Sequence, residues 1–220
     1  MLIDSTYFQN ANIIVNTNEP DPNSKTASVL DLLIAKSERD VLSFAFGIEM
    51  WEDFKQYIVN GYDELTTPEN YKRIIIGYNY TIDSENMFWN GLIQPETKES
   101  ILADFVYTQY HTENTTKTTE IGEASLDTKI GVKVSSIPKI TRVWNTFINK
   151  LHGGFRDNPN GYTLEGNPYW YINGGIDYYG ICRKNGYVSL MQFLFDNKSD
   201  YPLLDTNYRR FGSIKNEWGL

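Results

Sequence analysis

Glu49 and Asp53 stand one helical turn apart in a segment of helical periodicity, so their carboxylates share a face. Paired carboxylates can do acid–base work or hold a cation when their surroundings shift their proton affinity. Here they fall in a first turn ahead of an apolar face, where the helix dipole favours acidic groups, and a solvated structural pair accounts for them. The two histidines, His111 and His152, lie at the C-terminal ends of two periodic segments, where the dipole favours a cationic ring. A catalytic pair needs a third group to orient it, and none is evident. Asp157 to Gly161 resembles a calcium loop but lacks the alternating oxygen ligands and the terminal glutamate, so it reads as a turn. Cys182 stands alone, which excludes a disulfide framework and a cysteine metal site. The motifs Gly-x-x-x-x-Gly-Lys-Ser/Thr, His-Glu-x-x-His and Gly-x-Ser-x-Gly are absent. The expectation is a protein without catalytic activity, cofactor or metal.

The other conspicuous residues are aromatic. Tyr169, Trp170, Tyr171, Tyr178 and Tyr179 crowd a stretch rich in Gly and Asn. Such rings can pin a loop-rich subdomain to a core, contact a protein partner or stack on sugar faces, and enrichment alone does not separate these. The net charge of −8 argues against a dedicated nucleic-acid binder, because phosphate contacts need clustered Lys and Arg. Only Lys72-Arg73, Arg183-Lys184 and Arg209-Arg210 adjoin. The N-terminus lacks a charged segment followed by an apolar one, and no apolar run reaches spanning length. The expectation is a soluble protein of a reducing cytoplasm, without membrane contact.

The elements that position these residues centre on 99–151, read as helix, hairpin, helix. Ile101, Leu102, Phe105 and Val106 form one buried stripe; Ile140, Val143, Trp144, Phe147, Ile148 and Leu151 form another, with Pro138 in a tolerant first turn and Gly153-Gly154 at the end. Between them, 118–136 is rich in Thr, Gly and β-branched residues. Ile130, Val132 and Val134 alternate with Lys129, Gly131 and Lys133, the period of a half-exposed strand. This hairpin either projects as an arm or folds back on its own domain. Upstream, 1–16 reads as a short extended arm or strand. Helices are expected over about 27–46 and 49–59, with Gly47 between them. A polar connector covers 60–70, a strand runs from Ile74 to Thr81, and a turn at 83–86 leads Met87 to Leu92 back. Downstream, 155–187 is turn-rich, 188–195 forms a short helix, and 201–220 is an irregular tail. The fold class is α+β, mainly α: an antiparallel helical bundle with a projecting β-hairpin arm and a loop-rich aromatic C-terminal segment. A core over 1–154, bearing its arm at 118–136, is followed by 155–220 packed upon it.

The order of several segments carries a resemblance. Phe46-Gly47-Ile48-Glu49-Met50-Trp51 is followed by Phe88-Trp89-Asn90-Gly91-Leu92, then by the segment from Ala103 to Tyr110. Next come the Thr-rich 114–119, Arg142-Val143-Trp144-Asn145, Ser189 to Leu194, and Tyr201-Pro202. Together these resemble the head–tail connector proteins of tailed bacteriophages, also called adaptor or head-completion ring proteins, in the variant of Bacteroides-type and crAss-like phages. The resemblance covers most of 27–151 and, more weakly, 187–213; the segment 155–186 is longer and more aromatic than the pattern.

The resemblance implies a virion protein assembled in the host cytoplasm. Its copies form a ring, usually twelvefold, below the portal protein; the ring extends the DNA channel and receives the next tail adaptor or stopper. DNA passes through the lumen without specific binding, and an acidic chain suits such a conduit. A ring subunit needs two complementary side surfaces. The arm, with Ile121, Ile130, Val132 and Val134, and the aromatic C-terminal half, with Tyr169, Trp170, Tyr171, Tyr178, Tyr179, Tyr208, Phe211 and Trp218, are the candidates for them. The rival expectation is a carbohydrate- or receptor-binding module using the Tyr/Trp cluster at 169–179.

Overall fold

The computed structural model describes residues 1–9, 12, 14, 25–82, 84–113, 116–119, 122–125, 137–152 and 187–206. Helix α1 (Lys25–Phe46) turns Leu30, Leu33, Ile34, Val41, Leu42, Ala45 and Phe46 inward, as the helical spacing of its apolar residues predicts. Gly47, at φ +83°, breaks it from α2 (Ile48–Phe54). The expected second helix is shorter than its periodicity implied: α2 stops at Phe54 and tightens into a 3-10 turn over Lys55–Tyr57. Met50, Trp51, Phe54 and Ile58 nevertheless all reach the core.

Two expectations upstream of the central helices are overturned. Residues 5–8 form a 3-10 turn rather than an extended arm, because the Asp4 carboxylate accepts from the Thr6 backbone N–H at 2.9 Å and caps it. Ile74, Ile75 and Ile76 belong to helix α3 (Glu69–Ile76), not to a strand. β-Branched propensity lost here to spacing. Tyr71, Ile74 and Ile75 make an i, i+3, i+4 face that is buried, while Ile76 remains 45% exposed. The strand begins after Gly77. β1 (Tyr78–Ile82) pairs antiparallel with β2 (Glu85–Trp89), Tyr78 opposite Trp89 and Ile82 opposite Glu85. A two-residue ladder of β3 (Ile93–Gln94) with β4 (Glu99–Ser100), which the sequence reading did not include, then delivers the chain to the central helix.

That helix, α4 (Ile101–Glu113), is buried at every position from Ile101 to Thr108. Its start is set by Ser100, whose hydroxyl donates to the Leu92 carbonyl at 2.8 Å and accepts from the Leu102 N–H at 3.0 Å. Helix α5 (Ile137–His152) lays the whole predicted stripe, Ile140 to Leu151, against it. Phe105 meets Phe147 at 5.0 Å and Trp144 at 6.2 Å between ring centroids. Residues early in α4 meet residues late in α5, so the pair is antiparallel. Between the two helices the chain forms the hairpin of β5 (Thr116–Thr119) with β6 (Gly122–Ser125). The reversal falls between Thr119 and Gly122; the expected strand at 129–134 lies outside the described residues.

Residues 187–206 close the fold. The Val188 N–H donates to the Phe88 carbonyl at 3.0 Å, placing Tyr187 beside β2. Ser189 caps α6 (Leu190–Asp196), inside the expected short helix at its start and one residue beyond it at its end. Phe193 inserts among Tyr78, Tyr80, Trp89 and Tyr201, all with ring centroids within 6.4 Å of its own. Tyr80 then donates to Asp196 at 2.7 Å, and Arg73 pairs with Asp200 at 3.2 Å. The described part of the C-terminal region thus shares one core with the helices, and the α+β, mainly α, architecture is as the sequence predicts.

At one place the backbone itself is the packing. Residues 75–77 cross 89–91 with Gly77 at φ +101° and Gly91 at φ +92°. A Cβ on Gly77 would lie 2.6 Å from the Trp89 carbonyl oxygen, and one on Gly91 would lie 2.6 Å from that of Ile75. Beside the crossing, the Ile74 carbonyl accepts from both the Trp89 indole and the Leu92 N–H, each at 3.0 Å. Neither position has room for a methyl group, and both need the left-handed region. Gly77→Ala and Gly91→Ala are each expected to lower the unfolding free energy by about 2–4 kcal/mol. Urea unfolding of the two variants measures this.

Candidate interaction surface

All the contact residues expected from the sequence (Ile121, Ile130, Val132, Val134, Tyr169, Trp170, Tyr171, Tyr178, Tyr179, Tyr208, Phe211 and Trp218) lie outside the described residues. The described residues do build the ends of α4 and α5 between which the hairpin lies. Tyr107, Tyr110 and His111 stand on the last turns of α4. The His111 ring lies 4.3 Å from Tyr107 and 5.4 Å from Tyr110. From the first turn of α5, the exposed Lys139 reaches back so that its ammonium sits 5.0 Å above the buried Tyr107 ring, a cation–π contact. Ile137, Pro138 and Lys139 face solvent beside this collar. The arrangement suits a surface that aims and supports a strand pair.

The candidate chemical groups are not brought together. His152 ends α5 with its ring edge-on to Phe44 at 6.0 Å. Because α4 and α5 are antiparallel, it lies at the far end of the pair from His111. Asp53 accepts from the Tyr71 phenol at 2.6 Å, tying α2 to α3. Burial, with the Asp53 carboxylate second, pushes that phenol well above its ordinary value. Glu49 stays exposed. The two carboxylates therefore act separately. Among the described residues no three His, Cys, Asp or Glu side chains are grouped to hold a metal.

Two buried carboxylates matter more than those the sequence singled out. Asp104 is 6% exposed, within the buried length of α4. Its oxygens receive the Lys150 ammonium from α5 at 2.7 Å and the Asn12 amide from the N-terminal segment at 2.6 Å. Burial raises its proton affinity, and Lys150 opposes the rise. Beside it, Trp89, Gly91, Gln94, Glu99, Ser100 and Lys150 help line a cavity of about 20 Å³, room for a water molecule and too small for a substrate. Glu38 is 4% exposed on α1, and its carboxylate accepts from the backbone N–H groups of Leu2 and Ile3. Burial again dominates and pushes the carboxyl up. These two acids, with Lys98 5.1 Å above the Tyr7 ring, moor the N-terminal segment to the helices. The signal for both was in the sequence. Asp104 interrupts the apolar run from Ile101 to Val106, and Glu38 follows Ile34 on the stripe that continues to Val41 and Leu42.

Compared with known protein families, with curated proteins and with solved structures, the sequence matches none. Among the described residues no helix is long and apolar enough to cross a membrane.

Removing Lys150 would leave the Asp104 charge buried without its counter-ion. Lys150→Met is therefore expected to cost about 3 kcal/mol of stability, and Lys150→Met with Asp104→Asn less than that; chemical denaturation of both variants checks the order. Glu38 gives a pH signature. Folding raises its proton affinity, so its contribution is favourable below its ordinary value and is lost as pH rises through the raised one. The stability of Glu38→Gln relative to the unsubstituted protein is expected to increase between about pH 4 and pH 7, as thermal unfolding across that range would read.

Proposed function

We propose that this chain is a structural subunit of a phage head–tail adaptor ring, one that docks under the portal, continues the DNA channel and receives the next tail component. The observation that carries the reading is the α4–α5 pair. Two antiparallel helices, locked by ring packing and a buried ion pair, are joined through a two-stranded hairpin with an aromatic and cationic collar at its base. A helical body with a β-arm is what the sequence resemblance implies, and this helix pair with its hairpin supports the reading. A ring subunit needs a body stiff enough to hold its neighbours' spacing and an extension that reaches one of them. The burial of α4 from Ile101 to Thr108 would supply the first, and the hairpin the second. The net charge of −8 fits a conduit that passes DNA without holding its phosphates.

The test uses the purified chain with the portal ring of the same phage, followed by sedimentation and negative-stain microscopy. A second ring stacked on the portal in fixed ratio is the expected result. Replacing 118–136 by a short Gly-Ser linker is expected to leave a folded chain that no longer joins the ring. Normal incorporation of that variant would refute the role of the arm. No association of the full chain with the portal, together with specific hits on a glycan array, would replace the adaptor reading by a carbohydrate-binding one.

A further inference from the structure

Helix α1 carries a second stripe that the core does not use. Val29, Leu32, Lys36 and Arg39 follow one another at intervals of three, four and three residues, so they align along one face. All four are exposed, Val29 by 52% and Leu32 by 72%. Asp31 projects about 100° around the axis from Leu32. Arg39 is engaged by Asp40 at 2.9 Å, whereas Lys36 makes no ion pair among the described residues. The stripe is thus apolar along its first turn and cationic along the next two.

The turn after Gly61 presents the opposite combination. Leu65 is 94% exposed, the most of any large apolar residue described. Its backbone is nonetheless fixed. The Asp63 side chain accepts from the Leu65 N–H at 2.9 Å and from the Thr66 hydroxyl at 3.1 Å, and the Asp63 carbonyl accepts from the Thr67 N–H at 3.1 Å. Thr67 itself is buried. Asp63 and Glu64 flank the leucine and are exposed. A leucine held out on a pinned turn beside two acids is the complement of an apolar stripe that ends in cations. The acidic turn does not complement itself, since two copies would set Asp63 and Glu64 against their like. A contact between them is therefore head-to-tail, the kind that closes rings.

We propose that the turn at Asp63, Glu64 and Leu65 of one copy docks on the Val29, Leu32, Lys36 and Arg39 stripe of the next copy of this chain, with Leu65 between Val29 and Leu32 and Glu64 on Lys36. The proposal rests on the ring reading and names the surfaces by which neighbouring copies meet. All these side chains are exposed in the single chain, so substitutions act on association and leave the fold intact.

Sedimentation velocity and native mass spectrometry of the full chain, without portal, test it. The unsubstituted chain is expected to form oligomers as its concentration rises toward about 1 mM. Leu65→Arg and Leu32→Asp should each raise the midpoint of association about tenfold or more. Lys36→Glu and Glu64→Lys should each weaken it and flatten or reverse its salt dependence, because each sets like charges together, and mixing these two variants should restore assembly, because each supplies the surface the other lacks. A chain that stays monomeric throughout overturns the proposal. So does association that Leu65→Arg and Leu32→Asp leave unchanged, or a mixture of the two charge variants no better than either alone. Failure of portal docking with this behaviour intact would remove the adaptor reading and leave the contact standing. Portal docking that persists in Leu65→Arg, with free-chain association also unchanged, would do the reverse.

Discussion

Asp104 is almost shut off from water on α4, and that constraint determines what surrounds it. A carboxylate within a helix buried from Ile101 to Thr108 must find compensation inside the protein. It comes from two directions, the Lys150 ammonium on α5 and the Asn12 amide on the N-terminal segment. Apolar stripes alone would let α4 and α5 slide by a turn at small cost, since any Phe or Ile can pack on another. A single ion pair at 2.7 Å allows one register. The position of the arm follows, because the hairpin springs from the ends of the two helices whose register the pair fixes.

The same logic governs Glu38 on α1. Its carboxylate takes the backbone donors of Leu2 and Ile3, which would otherwise be buried without partners. The N-terminal segment is thereby held at four polar contacts: against α1 through Glu38, against α4 through Asp104, against the turn after β3 through Lys98, and against the Ile58 carbonyl after α2 through the Met1 ammonium. In this molecule buried acids pair with polar groups that a segment carries inward along with its core residues Leu2, Ile3, Tyr7, Phe8 and Ile14.

Sequence periodicity found the helices that pack by stripes. The α5 face from Ile140 to Leu151 and the α4 face from Ile101 to Val106 were legible because each apolar residue recurs at the helical interval. The reading failed where local preference and tertiary context disagree. Three consecutive isoleucines argue for a strand, yet Tyr71, Ile74 and Ile75 need one helical face, and Gly77 ends the helix a residue later. Asp4 turned an expected extended segment into a 3-10 turn through one side-chain acceptor, a contact no hydrophobic pattern reveals. A hairpin between two paired helices was legible; the contact residues expected on it lie outside the described residues. The buried acids were not singled out, because a charged side chain on an apolar stripe, as Glu38 is within Ser37 to Asp40, carries no mark in the sequence of which way it points. Exposed features such as Leu65 carry no periodic signature at all.

The closure of the aromatic face by α6 has a consequence in time. Tyr78, Tyr80 and Trp89 belong to a hairpin that is complete once residue 89 has been made, but the ring that fills the space among them is Phe193, and the strand-like contact that guides it pairs Val188 with Phe88. About a hundred residues separate the two halves. At a synthesis rate of about 5–20 residues per second, the hairpin waits on the order of 5–20 s on the ribosome with its inner face uncovered. The α4–α5 pair can form from contacts nearer in sequence during that interval, whereas the hairpin–α6 contact joins segments far apart in the chain and is the slower to form. Nascent chains are therefore at greatest risk of sticking to one another through these rings, and a chaperone that shields aromatic surface would act on this protein between the emergence of Trp89 and that of Phe193.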